Sequence, residues 1–369
     1  MSSKGNLYCQ RRKKIAVVFP KDSESVFNNS KTTFGGATVQ LYNYAQEIAK
    51  YHDVYCLIPE TYLPDRELFP NFNFVFTFSK KDNYFKRIIK FHLAIRSVNP
   101  DVVIQRGLTR VSTFLGFYCR LFMIKYIFMF AHDREAKGRF QRSNRVNIFY
   151  PFLLFFARYL VVQNDSQLNN LPSFFGKKTI KIRNAYSIVS EDLCGKEGVL
   201  WVSRLEPWKR PELCIEAAIR NPDISFTMIA PADSQNTEYA AKIYKMAGNI
   251  RNIKIIDFVC FSEIDNYFKK ARVFLNTSLE EGFPNTFIQA CKNRTPIVSL
   301  NVNPDNFITK FSTGVFCSDD IEIMDSSLIL LLTDDSCFSR CSDSAYDYVS
   351  RYHSIEINAG RLTKLILST

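Results

Sequence analysis

Short runs of β-branched and aromatic residues recur along this chain, each followed by a longer stretch with helical spacing, and the whole pattern stops and restarts once. The first series is "KIAVVF", "DVYCLI", "DVVIQ", "KYIFMF", "YLVVQ" and "TIKIR"; the second is "VLWVS", "SFTMIA", "IKIID", "VFLNTS" and "PIVSL". Parallel strands need a long crossover, usually a helix, so this alternation specifies parallel sheets wrapped by helices. Between the two series lies a polar stretch with two glycines, "SEDLCGKEG", which reads as a junction near Ser187 to Gly198. The expectation is an α/β chain with two doubly wound domains, residues 1–190 and 191–350, followed by residues 351–369. The length of 369 residues agrees, because single cores stop growing near about 250–300 residues.

Charge separates the two halves. Residues 1–190 hold 29 Lys plus Arg against 12 Asp plus Glu, a net of +17, whereas residues 191–369 hold 19 against 24, a net of −5. A basic first half suits an anionic partner: a membrane surface, a phosphorylated acceptor or nucleic acid. Ten cysteines are scattered without a C-x-x-C pair, and "MSSKGNLYCQRRKK" has basic residues with no apolar stretch behind them. Reduced thiols and a cytoplasmic protein are the expectation. Cys337 and Cys341, four apart, lack the second ligand pair that a zinc site needs. The apolar segment Val111 to Ala131 is interrupted by Arg120 and Lys125, and Asn147 to Val162 falls short of the roughly twenty apolar residues of a spanning helix. The former reads as a helix, a break at Lys125 and a buried strand.

Ligands of doubly wound sheets bind beyond the carboxyl ends of the strands, which directs attention to the residues just after each run. Four places stand out. Gly35 and Gly36 open a helix whose apolar positions include Val39, Leu41, Tyr44 and Ile48; bare N–H groups at such a start can approach an anion, or the pair is a plain turn. The G-x-G-x-x-G dinucleotide fingerprint is absent there. His132 follows "IFMFA" closely enough to face a cleft and donate to a hydroxyl or phosphate, or to serve structure, with Arg134, Lys137, Arg139, Arg142 and Arg145 behind it. Arg204 and Lys209, five apart in a strand-to-helix loop, suit a diphosphate, one charge-assisted contact to each phosphoryl group; Arg210 reads as solvent-facing. Finally "TSLEEGFPNTF" puts Glu280 and Glu281 before Gly282, with Pro284 at the first position of a helix. The amides of that first turn form an anion site, and a carboxylate beside it can grip sugar hydroxyls or merely complement the helix dipole. Phosphate on the amides and hydroxyls on the acid describe a nucleotide-sugar.

The Gly35-Gly36 loop, "SRLEPWK" and "EEGFPNT", in this order and each at a strand end, resemble the retaining GT-B glycosyltransferases of family four, also called glycosyl transferases group 1; "PDVVIQRG", "VVQNDSQLNNL" and "IRNAYS" fall where that family has related segments. The resemblance runs from about Lys14 to Ser350. It implies two Rossmann-like domains facing a central cleft, with the last helix, around Ser354 to Leu367, crossing back to the first domain. It also implies roles. Arg204 and Lys209 would neutralise the donor diphosphate, so that no metal and no cofactor is expected. Gly282, Phe283, Pro284, Asn285 and Thr286 would wrap the donor with main-chain N–H groups, Glu281 would hold its sugar hydroxyls, His132 would face the reacting sugar, and Gly36 would approach phosphate or acceptor. Glu280 reads as a solvated neighbour or local cap. One position departs: the family's second glutamate falls on Gln289. An amide offers one acceptor oxygen where a carboxylate offers two, which would weaken a ribose contact by roughly tenfold.

The function so implied is a retaining transfer of a hexose or N-acetylhexosamine from a nucleoside-diphosphate sugar to a saccharide acceptor, with departure of the diphosphate stabilised electrostatically. Residues Ser79 to Arg96 interleave Lys80, Lys81, Lys86, Arg87 and Lys90 with Phe85, Ile88, Ile89 and Leu93, the pattern of an interfacial helix. That points to a lipid-linked acceptor in bacterial surface polysaccharide assembly and to peripheral attachment at the inner face of the cytoplasmic membrane. Gln289 also permits a catalytically silent relative acting as a binding or regulatory subunit, and the fold permits a sugar-nucleotide epimerase or hydrolase. A nucleic-acid-binding module would leave "EEGFPNT" and "SRLEPWK" unexplained.

Overall fold

A computed structural model describes residues 11–28, 35–79, 81–109, 111–138, 144–189, 195–232 and 236–368, without the side chains of 144–149. Lys80, Arg139 and Arg142 lie outside the described residues, as does the side chain of Arg145. The first half runs β1 (Lys14–Val18), α1 (Glu24–Phe27), α2 (Gly36–Ala49), β2 (Asp53–Ile58), β3 (Phe72–Phe76), α3 (Tyr84–Val98), β4 (Val102–Arg106), α4 (Ser112–Leu121), β5 (Lys125–Met129), α5 (Asp133–Ala136), α6 (Asn144–Phe156), β6 (Tyr159–Val162), α7 (Asp165–Asn170) and β7 (Thr179–Lys181). The second runs β8 (Glu197–Val202), α8 (Pro211–Arg220), β9 (Phe226–Ile229), α9 (Thr237–Ala247), β10 (Ile253–Ile256), α10 (Ile264–Lys270), β11 (Ala271–Asn276), α11 (Asn285–Lys292), β12 (Ile297–Ser299), α12 (Phe307–Phe311), β13 (Gly314–Phe316), α13 (Ile321–Thr333), α14 (Asp335–Tyr352) and α15 (Ile355–Leu367).

The strands form two parallel sheets, ordered β3-β2-β1-β4-β5-β6-β7 and β10-β9-β8-β11-β12-β13. All eleven sequence runs became strands. The two strands missed, β3 and β13, are both at sheet edges. Central strands of a parallel sheet are buried on both faces and read as continuous apolar runs, as "IAVV" in β1 does, whereas an edge strand needs less: β3 is nowhere fully buried and β13 has three residues. The Val111 to Ala131 segment divides as expected into α4 and β5. Among the described residues no helix is long and apolar enough to cross a membrane.

One face of the first sheet is covered by α2 and by α15, whose Ile355, Ala359, Leu362 and Ile366 join Leu41, Tyr44 and Ile48 in a single core. The last helix thus crosses back onto the first domain. A lysine fixes its far end: Lys125 Nζ donates to the carbonyls of Leu365 (3.0 Å), Ile366 (2.9 Å) and Ser368. The same device recurs twice. Lys178 serves the carbonyls of Leu154, Phe155 and Ala157 behind α6, and Lys196 those of Phe268, Lys269 and Ala271 behind α10. Each cation meets the negative end of a helix and satisfies carbonyls that have no partner inside it, while burial pulls Lys178 and Lys196 down to about 8. Part of the positive charge is therefore internal architecture.

The opposite face of the first sheet carries α3, α4 and α6 through Phe91, Ile95, Leu115, Cys119 and Leu153. The outer sides of these helices stay apolar in places, with Phe85 75%, Ile89 57%, Leu93 59%, Phe152 53% and Phe155 64% exposed.

Candidate functional site

The carboxyl ends of both sheets face a common seam, and the second domain's side of it is built from two loops laced together. Thr277, just past β11, accepts at Oγ1 from Trp201 Nε1 (2.9 Å) and donates to the carbonyl of Lys209 (2.7 Å); Leu279 N donates to Trp208 O (2.9 Å). These bonds hold the segment after β8 against the segment after β11. Lys209 Nζ consequently pairs with Glu281 Oε1, which also accepts from Ser278 Oγ (3.1 Å), and the lysine lies over the Trp208 ring, 3.8 Å from its centroid. Both side chains are largely buried, at 11% and 16% exposure. Arg204 pairs with Glu206 at 3.1 Å.

Arg210 does not face solvent as expected. It adopts a left-handed backbone (φ 49°), which turns its side chain inward to donate to Thr277 O (2.7 Å), Asp319 Oδ1 (2.8 Å) and Asn301. Pro284 sits one residue earlier than expected, at the N-cap, and α11 begins at Asn285. Phe283 is buried between Phe307 and His353 (centroids 5.1 and 4.6 Å), and Thr286 is half-buried in the first turn.

The first domain contributes single residues from separate loops. Gly36 is where α2 meets α11: its carbonyl accepts from Asn285 Nδ2 (3.1 Å), and a Cβ added to it would lie 2.9 Å from that nitrogen. Asn285 Oδ1 accepts from Gln40 Nε2 (3.1 Å) and Asn184 Nδ2 (3.2 Å), so all its side-chain contacts reach across the seam. Gly282 comes equally close to the first domain, where a Cβ would lie 3.2 Å from Gln163 Nε2 and 3.4 Å from Asp133 Oδ1. His132 is exposed at the N-cap of α5. Glu135, buried beneath it, accepts from Leu108 N and Ala131 N, both at 2.8 Å, and so fixes the loops that follow β4 and β5. Glu280, read as a solvated neighbour or local cap, instead pairs across the seam with Arg134, although both remain about half exposed.

A polar cavity of about 240 Å³ opens between the two walls, lined by Glu280, Glu281, Gly282 and Asp305 on one side and Asp133 and Asn164 on the other. Carboxylates dominate it, which suits hydroxyl donors rather than an anion. Of the residues singled out in sequence, Glu280, Glu281 and Gly282 line this cavity; Gly36, His132, Arg204, Lys209, Phe283, Pro284, Asn285, Thr286 and Gln289 do not. Gln289 lies on the second turn of α11, where Nε2 donates to Asp265 Oδ1 at 3.4 Å. Among the described residues no group of three His, Cys, Asp or Glu is placed to hold a metal.

Three further residues brace the seam. Asp305 accepts from Asp165 N (2.9 Å), and burial holds its carboxyl above the usual range. Arg106 is buried at the end of β4, donates to Asn184 Oδ1 (2.6 Å) and Gln163 Oε1 (3.3 Å), and is lowered to about 10 by burial. His353, fully buried, bonds through Nδ1 to Asn184 O (2.6 Å) and through Nε2 to Tyr348 Oη (3.3 Å). A carbonyl only accepts, so Nδ1 carries the proton and the ring is neutral; burial drives it down to about 3. Each of Asp133, Asn164 and Asp305 lies just past a strand, where inspection of every strand end would have found it.

Comparison with known proteins bears on this geometry. No curated protein matches the chain significantly in sequence. In structure it is similar to Anabaena HepE in complex with UDP and glucose (TM-score 0.78, 13% identity, 97% of this chain and 100% of that chain covered). It is also similar to a sucrose-phosphate synthase from Thermosynechococcus elongatus (0.77, 14%, 96% and 98%) and to the pneumococcal O-GlcNAc transferase GtfA in complex with UDP and GlcNAc (0.60, 14%, 75% and 59%). The family model described as "Glycosyl transferases group 1" matches residues 196–334, which include the laced loops after β8 and β11. That segment is similar to glycosyl transferases group 1, and the chain is a glycosyltransferase of the GT-B fold.

Proposed function

We propose that the protein is a retaining glycosyltransferase that moves a hexose or N-acetylhexosamine from a nucleoside-diphosphate sugar to a lipid-linked saccharide, in the assembly of a bacterial surface polysaccharide. The observation that carries the donor reading is the contact of Lys209 with Glu281 at the mouth of α11. A cation for the diphosphate and a carboxylate for sugar hydroxyls stand side by side, next to the amides of a helix start. Arg204, in the same loop as Lys209, and the amides of Gly282 to Thr286 complete the donor set, and Gly36 and His132 approach from the other wall. UDP is the first nucleotide to test, because two of the neighbouring structures named above hold it. Charge building on the departing phosphate is stabilised by Lys209, Arg204 and the helix amides, and no bound metal or cofactor enters the scheme. The acceptor attacks from the face that the diphosphate leaves, and the leaving phosphate takes its proton.

Two features support a lipid-linked acceptor and peripheral attachment at the inner face of the cytoplasmic membrane. The exposed Phe85, Ile89 and Leu93 stand on α3 beside exposed Lys86, a mixture that suits an anionic interface. In addition, an apolar cavity of about 680 Å³, lined by Tyr150, Phe155, Phe156, Phe174 and Phe175, begins at Ala136 where α5 ends. The opposite end of that helix, Asp133, lines the polar cavity. A single short helix thus separates a greasy pocket from a hydroxyl-binding one, which fits a ligand with a lipid tail and a sugar head.

The test is transfer from UDP-sugars to an extracted lipid-linked saccharide fraction, with the product anomer read by NMR. The expected product retains the donor's configuration and forms equally well in EDTA. Inversion, free sugar without acceptor, or an epimerised nucleotide-sugar would contradict the reading. Flotation with anionic liposomes, lost in high salt, checks the membrane component; absence of binding at low salt would remove it.

A further inference from the structure

The turn from α4 into β5 closes its helix with an unusual residue. Ile124 N donates back to the carbonyl of Cys119 at 2.8 Å, and Met123, just before Ile124, takes a left-handed backbone with φ 55°. Helices that end this way ordinarily carry glycine or asparagine at that position, because a Cβ is strained there. Among the described non-glycine residues with such a backbone, Met123 alone is apolar; the others are Asn, Asp, Ser or Arg. Met123 is also 95% exposed, beside Leu121 at 62% and Phe122 at 44%. Three consecutive apolar side chains are thus held out at a sharp corner, on a backbone that a glycine would relax.

The surroundings are cationic. The turn lies at the amino end of β5, and in a parallel sheet this is the side of the domain opposite the strand ends that form the seam. Exposed Arg11 stands before β1, Arg96 in the last turn of α3, Arg120 in the last turn of α4, Arg158 before β6 and Lys177 before β7. Asp53 and Asp101 on the same rim are already paired, with Arg12 and Lys13, and α3, α4 and α6 contain no Asp or Glu. An apolar point inside a ring of cations suits the boundary between headgroups and acyl chains of an anionic leaflet. The apolar surface continues from it. Phe117, one turn back on α4, meets Phe156 at a centroid distance of 5.6 Å, and Phe156 lines the apolar cavity, which extends to Ala136 beyond the carboxyl end of β5.

We infer that Leu121, Phe122 and Met123 insert into the leaflet of an anionic bilayer, with the surrounding cations on its headgroups. The apolar cavity then reaches from the membrane-facing end of the domain toward the seam, a route for the tail of a lipid-linked acceptor. The inference rests on the membrane component of the reading above and gives it an insertion point separate from the apolar stripe of α3.

The experiment follows tryptophan emission of the full chain, as wild type and Met123→Trp, on vesicles of phosphatidylcholine and phosphatidylglycerol with and without bromine on the acyl chains. The two native tryptophans, Trp201 and Trp208, lie in the second domain and give the background. Wild-type emission should be insensitive to bromine, whereas the signal gained in Met123→Trp should shift to the blue and be quenched about twofold or more, as a side chain at acyl depth is. Met123→Gly should keep or raise the melting temperature, since glycine suits the turn, yet partition onto the vesicles about tenfold less. Its affinity for UDP, held at the seam, should be unchanged. Vesicle binding without quenching in Met123→Trp, or equal partitioning of Met123→Gly and wild type, would mean adsorption by charge alone; either result overturns the inference and leaves peripheral attachment in place. No binding of wild type at low salt would instead remove the attachment itself, and this inference with it.

Discussion

The two walls of the seam are built in opposite ways. The second domain supplies its wall from two contiguous loops that bond to each other through Trp201, Thr277, Trp208 and Lys209. The first domain supplies Gly36, the pair His132 and Asp133, and Asn164 from three different strand ends. Under the proposed function, the difference follows from the ligand each wall would hold. Main-chain amides and a helix start grip phosphate only when several consecutive residues hold one conformation, whereas hydroxyls are read by single side chains that any nearby loop can offer.

The largest effect expected to break this contrast is acid. His353 is neutral in the fold down to about 3, against an ordinary value of 6.5, and it supports Phe283 of the contiguous wall. Its pKa is lowered, so between pH 6.5 and 3 the unfolded chain binds the extra proton. Stability therefore falls as pH falls through that window, by up to about 5 kcal/mol. Denaturant titrations at stepped pH check this, and His353→Gln should flatten the acid limb.

Next in size is the Lys209 and Glu281 pair. Removing either leaves the other buried without its partner, and kcat/KM for the nucleotide-sugar should fall roughly 10²–10³-fold in Lys209→Ala or Glu281→Ala. Initial rates measure it. A variant within threefold of wild type would mean that the contiguous wall is not the donor wall.

A smaller effect is expected where the walls touch. Gly36→Ala forces a Cβ against an Asn285 side chain that three hydrogen bonds already hold, at a cost of about 1–3 kcal/mol, read as a lower melting temperature and a raised donor KM. The smallest concerns Arg134 and Glu280, paired across the seam but half exposed. Arg134→Ala should change kcat/KM by less than about threefold, and only at low salt, as exposed pairs do.

The same contrast explains what was legible in the sequence. Central strands and the two laced loops were, because buried parallel strands are continuous apolar runs and the loops carry the contiguous motifs "SRLEPWK" and "EEGFPNT". Asp133, Asn164 and Asp305 carry no motif of their own, and only their place beyond a strand end marks them. Arg210 was misread for a local reason: its left-handed backbone directs a side chain that the sequence suggests is outside toward Thr277 and Asn301. The basic first half was legible as charge only, and Lys125 and Lys178 show some of it occupied with helix carbonyls.

Thermal-shift titration of the purified chain with UDP, GDP, ADP and CMP and their common sugar conjugates, in wild type and Glu281→Ala, tests the central claim most directly. The account predicts that one nucleoside diphosphate raises the melting temperature, that its sugar conjugate raises it further, and that the further rise disappears in Glu281→Ala. No rise with any of them would contradict a nucleotide-sugar site at the mouth of α11.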